Sequence, residues 1–189
     1  MSPTASVAGQ LRTAAQLVHE GRYLQAEAFA RQVLARQPRN AEAHYVLALS
    51  AMHQGRAADA LPVIEKTLAL SGAEPKFHLL HGLCLAGAGR IEPAIAAYRK
   101  ALVLRPAYFE AWANLGNLLE RLGRWAEAED AYRQAVRATP AAPAQVLNGL
   151  GMCALARGDT PAAAPWAQSS TTCRPSSRSP SSVPSRCTR

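Results

Sequence analysis

Glycine recurs along this chain at Gly21, Gly55, Gly89 and Gly123, each 34 residues after the last, and Gly158 follows 35 further on, which puts a one-residue insertion near Pro143. A period of this length describes a stack of small identical units, each unable to bury its own faces and each completed by its neighbours. Other columns keep the step. Ala26, Ala60, Ala94, Ala128 and Ala163 each follow a glycine by five residues, and Pro38, Pro106 and Pro140 close three units, with Gly72 in the remaining slot. With the glycine counted as position 15, units open at Val7, Ala41, Pro75, Phe109 and Ala144. The expected organisation is a leader at 1–6, a solenoid over 7–165 in units 7–40, 41–74, 75–108, 109–142 and a degraded 144–175, and a tail at 176–189.

The fourth unit shows what each unit must be. Trp112, Leu115, Leu119 and Leu122 recur at helical spacing and share one face of a first helix. Gly123 ends that helix, because a glycine takes the left-handed conformation that caps the last carbonyls without steric cost. Ala128, Tyr132, Ala135 and Val136 then mark the inner face of a second helix that stops before Pro140. Position 8 holds only Ala14, Ala48, Gly82, Gly116 and Gly151, and position 20 is always Ala, so the two helices approach closely there. Tyr98 and Tyr132 fill the space beside these small residues.

Trp112, Leu115, Gly116, Leu119, Gly123, Ala128, Tyr132 and Pro140 resemble the tetratricopeptide repeat signature, with Leu119 where that family usually has Tyr. The resemblance runs from residue 7 to about 165. The third unit matches nearly as well, with His78 and His81 at large-residue positions, and the first departs most, with Gln10 and Thr13 there, as an outer cap would. The resemblance implies an all-α, right-handed α-solenoid of about five helix-turn-helix repeats. It also implies a concave groove for a peptide or partner helix, lined by positions 2, 5, 9, 12 and 13 of each first helix. Carried over, these give Tyr45, Leu49, Met52, His53, Leu79 and Leu83 at an apolar end, and Glu110, Asn117, Glu120, Arg121, Asn148 and Met152 at a polar end. Apolar anchors would be met first and backbone-pairing amides second. Two specialisations of the family can be compared directly. The carboxylate clamp of chaperone-binding members resembles Lys at position 5 with Asn at position 9, and position 5 here is Leu11, Tyr45, Leu79, Ala113 and Asn148. The asparagine ladder of O-linked N-acetylglucosamine transferases resembles Asn-Leu-Gly-Asn in successive units, and only Asn114-Leu115-Gly116-Asn117 matches, a single rung.

Other chemistry finds little footing. His44 and His78 occupy equivalent slots, as do His19 and His53, which argues for packing or groove surface; His78 and His81 share a helix face but lack a third metal ligand nearby. Cys84, Cys153, Cys173 and Cys187 match neither a zinc pair nor a redox pair. No nucleophile constellation, phosphate loop or cofactor box emerges, so no cofactor, metal or catalytic residue is expected. The net charge is +8, but Arg174, Arg178, Arg186 and Arg189 lie in an acid-free tail, leaving +4 on the body, too diffuse for specific nucleic-acid binding. No apolar run spans a membrane, and Met1 to Gln10 lack a charged head followed by an apolar stretch, giving the expectation of a cytoplasmic protein.

The fifth unit begins well with Leu147, Leu150, Gly151, Gly158 and Ala163, then reads Ser170 and Thr171 where Ala101 and Leu102 stand in the third. From Ser176 onward only Ser, Pro, Arg, Val, Cys and Thr occur, a composition expected to be disordered. The pattern suggests a frame-shifted or truncated remnant with an open apolar face, through which copies can self-associate. The expected function is a non-enzymatic protein-interaction scaffold; the alternative is the substrate-recruiting N-terminal region of a bacterial glycosyltransferase or sulfotransferase.

Overall fold

A computed structural model describes residues 6–139 and 143–158. Among these residues all regular structure is helical, in four complete hairpins and the first helix of a fifth: α1 (Val7–His19), α2 (Tyr23–Arg36), α3 (Ala41–His53), α4 (Ala57–Leu70), α5 (Pro75–Gly87), α6 (Ile91–Leu104), α7 (Phe109–Arg121), α8 (Trp125–Ala138) and α9 (Ala144–Ala156). Pro140, the expected second half of the fifth unit and the tail lie outside the described residues.

The turns repeat one solution. Gly21, Gly55, Gly89, Gly123 and Gly158 all have φ between 70° and 80°. In the first four hairpins the arginine after the glycine donates its backbone N–H to the carbonyl five residues back, Arg22 to Leu17 at 2.8 Å and Arg124 to Leu119 at 2.9 Å. That bond closes the helix and turns the chain into the next one. Helix starts are capped by Ser6, which accepts from the Gly9 N–H at 3.2 Å, and by Asn40, which accepts from the Ala43 N–H at 2.9 Å.

A third device sets the angle between hairpins. His44 Nε2 lies 2.9 Å from the Pro38 carbonyl, His78 Nε2 2.9 Å from the Gly72 carbonyl, and Trp112 Nε1 donates to the Pro106 carbonyl at 2.7 Å. These are all position 4 reaching the same carbonyl of the preceding connection, so a ring N–H there ties α3, α5 and α7 to the loops before them. The equivalence of the His44 and His78 slots thus has a structural cause.

Between the helices of a hairpin, side-chain size at positions 8 and 24 is matched. Ala14 faces the column of Ala30, and Ala48 that of Ile64, whereas the fully buried Tyr98 and Tyr132 lie against Gly82 and Gly116. Tyr132 is also flanked by Gly149 of α9, so one ring fills the space between three helices. Successive first helices touch one another, α1 with α3, α3 with α5 and α7 with α9, which places them together on the inner side of the stack.

Candidate functional site

The inner side is divided by chemistry. Between α1 and α3 a cavity of about 420 Å³ opens among Val18, His19, Tyr23, Glu42, Tyr45, Leu49 and His53. Its floor is aliphatic and its walls are aromatic. The Tyr23 and His53 rings stack at 5.0 Å with planes 6° apart, holding the exposed His53 at the rim. Tyr45 tilts against Phe77 at 5.3 Å, and the Lys76 ammonium sits 5.2 Å from the Tyr45 ring centre and 5.4 Å from that of Phe77. The same ammonium donates to both Glu42 oxygens, at 2.9 and 2.8 Å. Burial, with Tyr108 and Glu42 close by, pushes the Tyr45 hydroxyl up to about 12. Tyr45 is therefore a neutral hydrogen-bonding group on an otherwise apolar wall at physiological pH.

Met52, Leu79 and Leu83 are half-buried. Met52 lies against the core around α3 and α5, Leu79 against the core around α6 and α7, and Leu83 against both. They continue the apolar strip from the cavity toward α7. There the surface becomes polar: Glu110 and Arg121 are exposed, and Asn117 and Glu120 are half-buried at the tip of Tyr132. The Tyr132 hydroxyl lies 2.7 Å from Asn117 Oδ1 and 2.6 Å from Glu120 Oε2. One hydroxyl proton serves one acceptor at a time, so this trio has hydrogen-bonding capacity left for a ligand. Burial first, then the bond to Glu120, raises the Tyr132 hydroxyl far above the usual tyrosine range. Asn114 turns back on its own helix, its Nδ2 donating to the Glu110 carbonyl at 2.7 Å. On α9, Asn148 and Met152 are exposed.

The structure thus gathers Tyr45, Leu49 and His53 around one cavity, and Asn117 and Glu120 around one hydroxyl. Sequence reasoning missed Tyr23, because position 17 is outside the groove positions carried over. It also missed Glu42 and Lys76, although they stand at position 2 beside Glu110. Among the described residues no group of His, Cys, Asp or Glu can hold a metal ion, and no helix is long and apolar enough to cross a membrane.

The tetratricopeptide repeat family matches residues 11–75 and 79–143, and a second description of the same repeat matches 144–169. The chain belongs to the tetratricopeptide repeat family. Tetratricopeptide repeats build interaction scaffolds, and that coarse role carries over to this chain. Among solved structures the fold is similar to MamA, at 20% identity over 86% of this chain and 88% of that one, TM-score 0.73. It is similar also to PilF of Pseudomonas aeruginosa, at 19% identity over 86% and 73%, TM-score 0.78. A third likeness, at 20% identity over 89% of this chain but 26% of the other and TM-score 0.65, is to a structure of Naa15/Naa10 bound to HypK-THB. At such identities the likeness is one of fold. No curated protein matches the sequence.

Proposed function

We propose that this chain is a non-enzymatic, cytoplasmic interaction module that holds an extended peptide segment or a partner helix along the inner faces of α1, α3, α5 and α7. The supporting observation is the cavity between α1 and α3. It is large enough for one or two apolar side chains, walled by Tyr23, Tyr45, Leu49 and His53, and continuous with Met52, Leu79 and Leu83. An apolar anchor entering it would leave the following backbone beside Asn117, Glu120 and the Tyr132 hydroxyl, with Glu110, Arg121, Asn148 and Met152 further along. The scaffold is divided as the period divides it, in units from residues 7, 41, 75, 109 and 144. The reading as a recruiting region of a sugar- or sulfate-transferring enzyme gains no support from the Asn114 to Asn117 rung. Asn114 is engaged with its own helix and Asn117 with Tyr132.

The test is a peptide selected from a random library against the wild-type chain and titrated by fluorescence anisotropy. Replacing Tyr45, His53 and Leu79 together by Ala should weaken it at least tenfold while the helical circular dichroism at 20 °C persists. Lys66→Glu on the outer helix α4 should leave it unchanged. Equal affinity for wild type and the triple variant would remove the inner face from the account.

A further inference from the structure

Away from the cavity between α1 and α3, among α4, α5 and the start of α6, lies a second cleft of about 240 Å³. Its composition is a departure from the repeat in several columns at once. Position 7 is Leu47, Leu115 and Leu150 in the second, fourth and fifth units, where it builds the core, but His81 in the third. Position 25 is Arg31, Arg99 and Arg133 in the first, third and fourth units, but Glu65 beside this cleft. Of the four arginines that follow the turn glycines, Arg22 pairs with Glu20, Arg56 with Glu27 and Arg124 with Glu127 and Glu92. Among the described residues no carboxylate lies within ion-pairing distance of Arg90. Its own hairpin offers Pro93 where the second and fourth units have Asp59 and Glu127, and the preceding one offers Leu61 where the first has Glu27.

The His81 ring forms the floor, with its side chain 21% exposed. Its Nε2 is buried without a hydrogen-bond partner, 3.8 Å from Glu65 Oε1 and so beyond bonding distance. Burial lowers the His81 pKa, Lys100 and His78 push the same way, and Glu65 opposes them. The imidazole is therefore neutral at physiological pH and, in the tautomer protonated at Nε2, presents an N–H whose nearest acceptor, Glu65, stands 3.8 Å away. Arg90 and Lys100 stand exposed at the rim.

We infer that this cleft is a binding site for a small monoanionic carboxylate, held by Arg90 and Lys100 at the rim and by the N–H of His81 at the floor. Two cations, one carboxylate and a neutral imidazole leave a charge of +1, which suits a monoanion. Glu65 on the facing wall repels a dianion such as phosphate. At about 30 Å³ per water-sized group, the volume admits a ligand of roughly eight heavy atoms. The carboxylate can belong to a free organic acid or to an Asp or Glu side chain of a docked partner. Because the site shares no lining residue with the cavity between α1 and α3, it stands or falls independently of the peptide groove.

The experiment is a titration of the full chain with sodium acetate at constant ionic strength, followed by the imidazole resonances of His81 and the backbone amides of Arg90 and Ala97. Saturable shifts are expected, weakened at least fivefold by Arg90→Ala and by Lys100→Ala, and unaffected by Lys66→Ala. Phosphate should bind more weakly than acetate, and Glu65→Gln should remove that difference. His81→Leu restores the residue of the second, fourth and fifth units, so it should keep the fold and lose the saturable shifts at Arg90 and Ala97. Acetyl-glutamate methylamide in place of acetate reports the side-chain source, and binding of acetate alone assigns the site to free acids. Linear, unsaturating shifts, or cation variants that titrate like wild type, would overturn the assignment.

Discussion

Tyr132 gives the sharpest handle on how the stack is held. A methyl group at Gly116 would sit 2.6 Å from Cε1 and 2.7 Å from Cδ1 of its ring, and one at Gly149 would sit 2.6 Å from Cε2 and Cζ. Ordinary carbon contacts are about 3.5–4.0 Å, so each methyl demands a displacement of roughly 1 Å from a fully buried ring. Overpacking of this kind costs about 1–3 kcal/mol, and replacing a helical glycine by alanine returns about 1 kcal/mol. Gly116→Ala or Gly149→Ala alone should therefore destabilise by up to about 2 kcal/mol, because the ring can slide toward the opposite glycine. In the double variant that escape is closed, and the loss should exceed the sum of the singles by at least about 1 kcal/mol. For a chain of this size that excess is about 2–4 °C in melting temperature. Two controls isolate the cause. Gly9→Ala in α1, whose added methyl meets only Ser6 Oγ at 3.6 Å, should stabilise slightly. In a Tyr132→Ile background, which recreates the Ala48 and Ile64 pairing, Gly116→Ala should become neutral or favourable. Urea unfolding of wild type and the six variants decides it: additive singles, and the same effect of Gly116→Ala in both backgrounds, would refute the packing argument.

Trp112→Phe keeps an aromatic side chain but removes the pyrrole half of the indole with the N–H that reaches the Pro106 carbonyl, and should cost at least about 1 kcal/mol in urea unfolding. Glu27 is 3% exposed and is bonded by Arg31 of its own helix and by Gln54 and Arg56 of the next hairpin, so Glu27→Ala should cost about 2 kcal/mol. Glu27→Leu, which copies Leu61 of the second unit, should recover part of that loss in the same assay. Tyr45, pushed up to about 12 in the folded chain, ionises near pH 10 when unfolded, so its contribution is complete below pH 10 and lost as pH rises toward 12. Unfolding measured at pH 9, 10.5 and 11.5 should fall less steeply for Tyr45→Phe than for wild type.

The hairpin period was legible because it rests on backbone demands: a left-handed glycine every turn, small residues at the close approach, and proline beyond a helix end. Such demands act on single positions and leave their mark in columns. What was not legible involves pairs of positions in different units. The buried Glu27 and Glu129 read as ordinary helix-surface acids, yet Arg56 and Arg157 of the following hairpins reach each of them. Gly149 carries no signal of its own, because its meaning comes from a tyrosine 17 residues earlier. His81 was weighed as a metal ligand with His78, whereas the two nitrogens have different surroundings. One His78 nitrogen is spent on the Gly72 carbonyl, and His81 faces Glu65 across a cleft. On the inner face the residue types were readable from repeat phase, but the stacking of Tyr23 on His53 and the capture of Asn117 and Glu120 by Tyr132 depend on side-chain directions that phase alone does not fix.

The central claim is that partners are held by the inner faces of the first helices. Hydrogen–deuterium exchange on the full chain, alone and saturated with a library-selected peptide, tests it most directly. The account predicts added protection in α1, α3, α5 and α7, strongest in the peptide spanning Tyr45 to His53, with α4 and α6 unchanged. Protection confined to α4 and α6, with the first helices unaltered, would contradict it.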